Sequence, residues 1–221
     1  MTSSNPTKVG SFQERLIPFP KKKYTIIYAD PPWQWKTYSK KGILSGWAEK
    51  NYPLMNTEDI CNLPIKEITD NNCILFLWVT FPKLKDGIKV LESWGFDYKT
   101  VGFSWVKLNP KGIGYYSGLG YYTRSNVEIC LIGRKGSLKV VDRKVKQLVV
   151  SPRGKHSEKP KEVRNRIVQM YGDVERIELF ARDKPNGWDV WGNEVSLDTQ
   201  QEGGNGIPPT DKSVGIQPTI L

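Results

Sequence analysis

The sequence predicts an α/β domain with a mostly parallel sheet and helices on both faces. Three observations carry that prediction. Short apolar, β-rich runs recur: YTIIYA (24–29), CILFLWV (73–79), KTVGFSWVK (99–107), NVEICLI (126–132), QLVV (147–150) and RIELFA (176–181). Segments with apolar residues at helical spacing lie between several of them. The runs alternate with these segments, as expected of strands joined by crossover helices. In such sheets ligands bind outside the carboxyl ends of the strands.

The elements follow in order. Residues 1–23 are polar and irregular and end in Lys21-Lys22-Lys23, which suggests an arm joining the domain near Phe12–Phe19. YTIIYA is the first buried strand. Residues 36–53 lack periodicity and carry Gly42 and Gly46, so a mobile loop is expected. Thr57 is expected to cap a short helix, with Glu58 and Asp59 in the first turn where the helix dipole favours them, and Pro64 to end it. After CILFLWV, Thr80 is expected to cap a helix running through Trp94, with Leu84, Ile88 and Leu91 as its apolar stripe and Gly95 as its stop.

Residues 109–125, rich in Gly and Tyr, read as a long loop, and residues 134–146 are strongly basic. A further helix spans about 160–171, with Val163, Ile167 and Met170 on one face and Gly172 as its stop. From residue 196 periodicity is lost and a flexible tail is expected. The organisation is thus an arm (1–23), one domain (24–195) and a tail (196–221).

Composition narrows the function classes. A chain of 221 residues suits one well-buried core. No run of about eighteen apolar residues occurs, so no membrane span is expected. The N-terminal stretch lacks an apolar signal region, and a cytoplasmic protein is expected. The net charge is +10, which points to a polyanionic partner, nucleic acid first. Cys61, Cys73 and Cys130 are scattered, and His156 is the single histidine, so no metal site is expected. Cys73 and Cys130 lie in apolar runs and read as core thiols.

The stretch IIYADPPWQW, residues 26–35, carries the chemistry. An aromatic amine such as the exocyclic nitrogen of adenine is a poor nucleophile, because its lone pair is delocalised into the ring. A carboxylate, Asp30, can accept one of its hydrogens. A carbonyl aimed by Pro31 and Pro32, whose φ is fixed near −65°, can accept the other. Positive charge develops on the nitrogen as it attacks, so both acceptors bind the transition state more tightly than the ground state. Trp33 supplies a flat ring on which a base can stack, worth roughly 1–3 kcal/mol. The competing reading is a strand that ends in a turn, with Trp33 as a core plug.

Glu178 lies inside an apolar run and needs a partner, either a ligand or a salt bridge with Arg176 or Arg182. The 134–146 segment reads as phosphate-binding or as a solvated hairpin, and Arg153 and Lys155 follow near the expected catalytic face. Tyr115, Tyr116, Tyr121 and Tyr122 can stack on bases, wedge a duplex or pack on one another.

The motifs ADPPW, NYPLM, LFLWVT, WGF, WVK, HSEKP and IELFAR occur in this order. Together they resemble the adenine-N6 methyltransferases that include the catalytic subunit of the eukaryotic mRNA methyltransferase. The chain is similar to a compact prokaryotic or phage-type member, over about residues 24–195. The resemblance implies a Rossmann-like methyltransferase fold in the permuted beta-type order, with the catalytic motif first and the donor strand last. It implies S-adenosyl-L-methionine as methyl donor and a nucleic-acid substrate, with homo- or heterodimers admitted; the small size and the absence of an RNA-recognition module favour DNA over RNA.

By the same resemblance Asp30, Pro31, Pro32 and Trp33 form the catalytic loop, and Asp30 also touches the donor. Tyr52 matches a tyrosine near the target base, and Lys159 a lysine at the donor or the base. Glu178, Phe180 and Arg182 match the donor strand. Asn193 and Glu194 match an amide pair on the donor's ribose, with Glu where the mRNA enzyme has glutamine. A carboxylate at Glu194 can accept from both ribose hydroxyls. Two rival functions stay open from the sequence: a non-catalytic nucleic-acid-binding partner subunit, and cytosine-N4 methylation by the same amine chemistry.

Overall fold

The computed structural model describes residues 18–34, 54–120, 122–154, 158–192 and 195. Among them seven strands form one sheet: β1 (Tyr24–Ala29), β2 (Thr69–Val79), β3 (Asp97–Leu108), β4 (Val127–Lys135), β5 (Leu148–Pro152), β6 (Arg176–Leu179) and β7 (Asp189–Trp191). The helices are α1 (Thr57–Cys61), α2 (Ile65–Ile68), α3 (Leu84–Ser93) and α4 (Lys161–Tyr171), with a 3₁₀ turn at Phe81–Lys83 leading into α3.

The strand order is β5-β3-β4-β2-β1-β6-β7. The pairs β1–β2, β1–β6, β6–β7 and β3–β5 are parallel. β4 runs antiparallel to both β2 and β3. The expected mostly parallel sheet is therefore present with one strand reversed. The reason is local: the described residues of the 109–126 connection form no crossover helix, and β4 starts at the edge where β3 ended.

Alternation along β1 divides the core in two, because neighbouring strand residues face opposite sides of a sheet. Ile27 joins Leu75, Leu77 and Leu131 on the face covered by α1 and α3, where Ile60, Val90, Leu91 and Trp94 pack. Ile26 and Tyr28 join Ile74, Phe76, Trp78 and Trp105 on the other face, beneath Val163, Ile167 and Tyr171 of α4. Each such apolar side chain contributes about 1.5–3 kcal/mol on burial. The buried indoles keep partners: Trp78 Nε1 donates to Tyr28 Oη at 2.7 Å, and Trp94 Nε1 to the Ile60 carbonyl at 2.9 Å. Cys73 and Cys130 are buried as expected, and burial pushes the Cys73 thiol up to about 12.

Some local expectations change. Asn56, not Thr57, caps α1: its side-chain oxygen accepts from the Asp59 N–H at 2.8 Å. Pro64 stands at the start of α2, so it begins a second short helix as well as closing the first. Thr80 makes no capping hydrogen bond, and α3 begins four residues later. Tyr171 takes the buried place given to Met170. β7 was not foreseen, since a three-residue strand shows no alternation to read.

Candidate active site

β1 lies between β2 and β6: the chain leaves β1 toward β2 on one side, and later returns through α4 to β6 on the other. This is the switch point of the sheet, where the loops at the carboxyl edge diverge and leave a crevice. Asp30 follows β1 at that edge, Thr80 follows β2 and Phe180 follows β6. The Asp30 side chain is 25 % exposed, enough for a ligand to reach it.

Lys159 Nζ donates to Asp30 Oδ2 at 2.6 Å. The same ammonium lies 3.4 Å from Glu128 Oε2, and Lys107 Nζ donates to the other oxygen of Glu128. Charges therefore alternate from Asp30 through Lys159 and Glu128 to Lys107. Two indoles line the row, with Lys159 Nζ 5.6 Å from the Trp78 ring centre and Lys107 Nζ 5.0 Å from that of Trp105.

The environment tunes each group. Burial raises the Asp30 carboxyl above its ordinary value, although Lys159 pulls the other way. Burial also opposes the charge on Lys159, but Asp30 and Glu128 outweigh it and hold the ammonium above the ordinary lysine range. Burial pushes Glu128 up, yet Lys159 and Lys107 outweigh it and keep the carboxyl below the ordinary range. Each lysine of the row thus lies against a carboxylate, and each carboxylate against a lysine.

The Pro-Pro turn is pinned on both sides. The Pro31 carbonyl accepts from the Trp33 N–H at 2.9 Å, and the Pro32 carbonyl from the Met55 N–H at 2.8 Å. Each carbonyl keeps a second lone pair for a ligand. Trp33 is 6 % exposed and donates Nε1–H to the Trp78 carbonyl at 3.1 Å. It occupies the plug position of the competing sequence reading, with no open face on which a base can stack here. Its packing holds the turn that carries Asp30.

Glu178 also reads differently from the expectation. Neither Arg176 nor Arg182 is its ion-pair partner. Arg164 of α4 binds it with two hydrogen bonds, Nε to Oε2 at 2.6 Å and Nη2 to Oε1 at 2.8 Å. Arg164 also reaches Asp183 at 2.7 Å. Burial raises the Glu178 carboxyl while Arg164 offsets part of that rise. At 8 % exposure the pair locks α4 to β6.

Phe180 is the one described non-glycine residue at positive φ, 61°. A side chain there costs about 1–3 kcal/mol, and such strain clusters at ligand sites. It ends β6 two residues before the expected end and turns the chain, with Phe180 against Trp191, toward Arg182 at the crevice. Arg153 stands at the same edge, after β5, its guanidinium 4.2 Å over the Tyr116 ring. Tyr52, Lys155, Asn193 and Glu194, like Tyr121 and His156, lie outside the described residues.

The basic 134–146 segment is not at the crevice throughout. β4 is reversed, so Arg134 and Lys135 end it at the opposite edge of the sheet, paired with Asp97 and Cys73. The Val141 N–H then donates to the Met170 carbonyl near the end of α4. The segment is a connection across α4 rather than a hairpin. Sequence reading missed Glu128, Lys107 and Arg164. Glu128 carried the signal that picked out Glu178, an acid inside an apolar run.

The family model for MT-A70 matches residues 24–194. This chain belongs to the MT-A70 family. The match begins at the first residue of β1 and takes in every strand, so the sheet is the Rossmann-like methyltransferase fold of an MT-A70 domain. A type II methyltransferase, M.MunI of Mycoplasma sp, is 38% identical over 219 residues, covering 89% of this chain and 90% of that protein. The N(6)-adenosine-methyltransferase subunit METTL3 of Danio rerio is 29% identical over 178 residues, 78% of this chain but 28% of that protein. The N(6)-adenine-specific methyltransferase METTL4 of Homo sapiens is 28% identical over 191 residues, 79% of this chain and 38% of that protein. The chain thus spans most of one relative and about a third of the others.

Among the described residues no group of three or more His, Cys, Asp or Glu side chains could hold a metal ion. No described helix is long and apolar enough to cross a membrane.

Proposed function

We propose that the chain methylates the exocyclic N6 amine of adenine in DNA, with S-adenosyl-L-methionine as donor. The observation that carries this reading is Asp30, a partly accessible carboxylate held by Lys159 at 2.6 Å at the switch point of an MT-A70 domain.

The residues present fit the donor. Its amino-acid end carries an ammonium and a carboxylate, and Asp30 beside Lys159 is the complementary pair. Thr80 Oγ1 is buried at the next strand end with no partner, and suits a polar ligand in the crevice. Asp30, Lys159, Phe180 and Arg182 would hold the donor, with Asn193 and Glu194 closing on its ribose. Glu178 serves indirectly by fixing β6 against α4. The donor supplies a methyl group made electrophilic by its sulfonium.

The chain's own residues do the rest. Asp30 accepts one amine hydrogen of the adenine, and a carbonyl of the Pro31-Pro32 turn accepts the other. Both are fixed before the base arrives, so little reorganisation accompanies the growth of positive charge on nitrogen. Lys159 keeps Asp30 ionised and aimed. Arg153 and Lys155 bind backbone phosphates near the crevice, and Tyr52 contacts the base.

DNA is favoured because the relative matched over nearly its whole length is the compact type II methyltransferase. The adenosine methyltransferase carries much sequence without counterpart here. Incubation with labelled donor and single- or double-stranded DNA or RNA, followed by nucleoside mass spectrometry, tests the reading. N6-methyladenine in DNA is expected. N4-methylcytosine, methylation confined to RNA, or no transfer would overturn it.

A further inference from the structure

Residues 98–157 hold twelve Lys and Arg against two acids, Glu128 and Asp142. The whole excess of ten positive charges therefore lies in this segment, which builds nearly all of β3, β4 and β5. No acid occurs from 98 to 127, a stretch that includes the whole β3–β4 connection, residues 109–126.

That connection rises from the carboxyl edge of β3, and its base is tied to the site. Lys107 just before it and Glu128 just after it are the outer members of the charge row that ends at Asp30. The described part of the loop exposes four large apolar or aromatic side chains: Ile113 (79 %), Tyr115 (66 %), Leu119 (68 %) and Tyr122 (94 %). Such exposure costs solvation unless something covers it.

The loop is also stiff. Asn109 N–H donates to the Gly114 carbonyl at 3.0 Å, Gly112 N–H to Asn109 at 2.8 Å, and Gly118 N–H to Ser125 at 2.9 Å. Gly112 and Gly114 take φ of 76° and 69°, which makes the tip a turn closed to most other residues. Tyr116 N–H donates back to Lys107 at 2.8 Å, and Arg153 covers the Tyr116 ring.

We propose that this loop is a wedge that enters a DNA duplex beside the target adenine and fills the gap when that base leaves the stack. The inference rests on the methyl-transfer reading for its substrate. A paired, stacked adenine cannot present its amine to the crevice, so a duplex must be opened at that base. Apolar side chains pushed between base steps do this in other DNA-binding proteins. Ile113, Tyr115, Leu119 and Tyr122 are the wedge, and exposed Lys111 and Arg124 with Arg153 bind the flanking phosphates. A second copy of this chain is a poor occupant, because two such acid-free basic surfaces repel.

The test uses the full chain. Ile113→Ser with Leu119→Ser is the first variant and Tyr122→Ser the second. Each is assayed on duplex DNA sites mapped with the parental protein, on the same strand alone, and on duplexes with an abasic position opposite the target. Expected is a loss in kcat/KM of at least about tenfold on paired duplex, by analogy with a few kcal/mol of unstacking, and parental rates on the other two. Duplexes carrying 2-aminopurine at the target, within random flanks, should brighten with the parental protein and not with the variants. Equal loss on all three substrates, or no loss on paired duplex, overturns the wedge. So does a change of oligomeric state in place of substrate discrimination, or the same discrimination on duplex RNA alone. If the parental protein methylates nothing, the methyl-transfer reading fails, while the 2-aminopurine signal still decides the wedge.

Discussion

The two halves of the sheet are built to different electrostatic rules. The half containing β2, β1, β6 and β7 is neutral, its charges paired at close range. Lys22 binds Asp189, Arg176 binds Asp173, and Arg164 binds both Glu178 and Asp183. Residues 98–157, which build nearly all of β3, β4 and β5, hold two acids for twelve cations, and one of those acids, Glu128, faces the crevice. The proposed donor, whose amino-acid end carries an ammonium and a carboxylate, needs matched charges at fixed positions, and the neutral half has such pairs. A polyanion needs unmatched positive charge over a wide area, which the basic half provides. The Asp30–Lys159–Glu128 row is the seam between them.

Trp33→Ala should show the largest effect and break the neutral half alone. The indole is a core plug with a buried hydrogen bond, and its loss should cost about 3–5 kcal/mol of stability. Urea denaturation measures it. A loss within about 1 kcal/mol would return Trp33 to an open stacking role, since surface changes stay within that range.

Glu128→Gln probes the seam. Removing one member of a buried ion-paired row should cost about 3 kcal/mol. Its carboxyl is held below the ordinary 4.5 in the folded state, so its stabilisation is full above pH 4.5 and is lost as pH falls through the lower folded value. The variant should lack that acid-side loss when denaturation is followed from pH 7 to pH 3. An unchanged pH profile would mean that Glu128 is not held by the two lysines.

The smallest effects sharpen the boundary within the basic half. Neutralising Lys111, Arg124 and Arg153 at the crevice edge should flatten the slope of log affinity against log salt by up to about 2.7 for duplex. Neutralising Arg134, Lys135 and Lys139 should change it by less than about 0.9, one contact's worth. Equal changes would mean that nucleic acid wraps both edges.

The sequence made the repeating parts legible. β1 was readable to the residue because its apolar run is bounded by Lys23 and Asp30, which puts Asp30 at the carboxyl end of the first strand; that this end lies at the switch point needed the strand order of the folded sheet. What escaped is set by contacts between residues distant in sequence. Arg164 and Glu178 lie fourteen residues apart on different elements, and only packing of α4 against β6 joins them. Trp33 is ambiguous in sequence, because an indole serves equally as platform or plug until its surroundings are known. The basic 134–146 segment was misplaced because charge says nothing about strand direction, and the reversal of β4 carries it to the far edge.

The most direct test of the account is the rate of methyl transfer by Asp30→Ala, measured beside donor and nucleic-acid affinity. The carboxylate lies at a strand end with a partly exposed side chain, so the variant should fold. Losing one acceptor that strengthens in the transition state should lower the rate by roughly 10²–10³. Nucleic-acid affinity should hardly change, because the basic half is intact, and donor affinity should fall. In the parental protein the rate should drop with acid through a pKa above 3.8, since burial raises Asp30 and its protonated form cannot accept. An Asp30→Ala protein that folds and methylates at the parental rate would contradict the account.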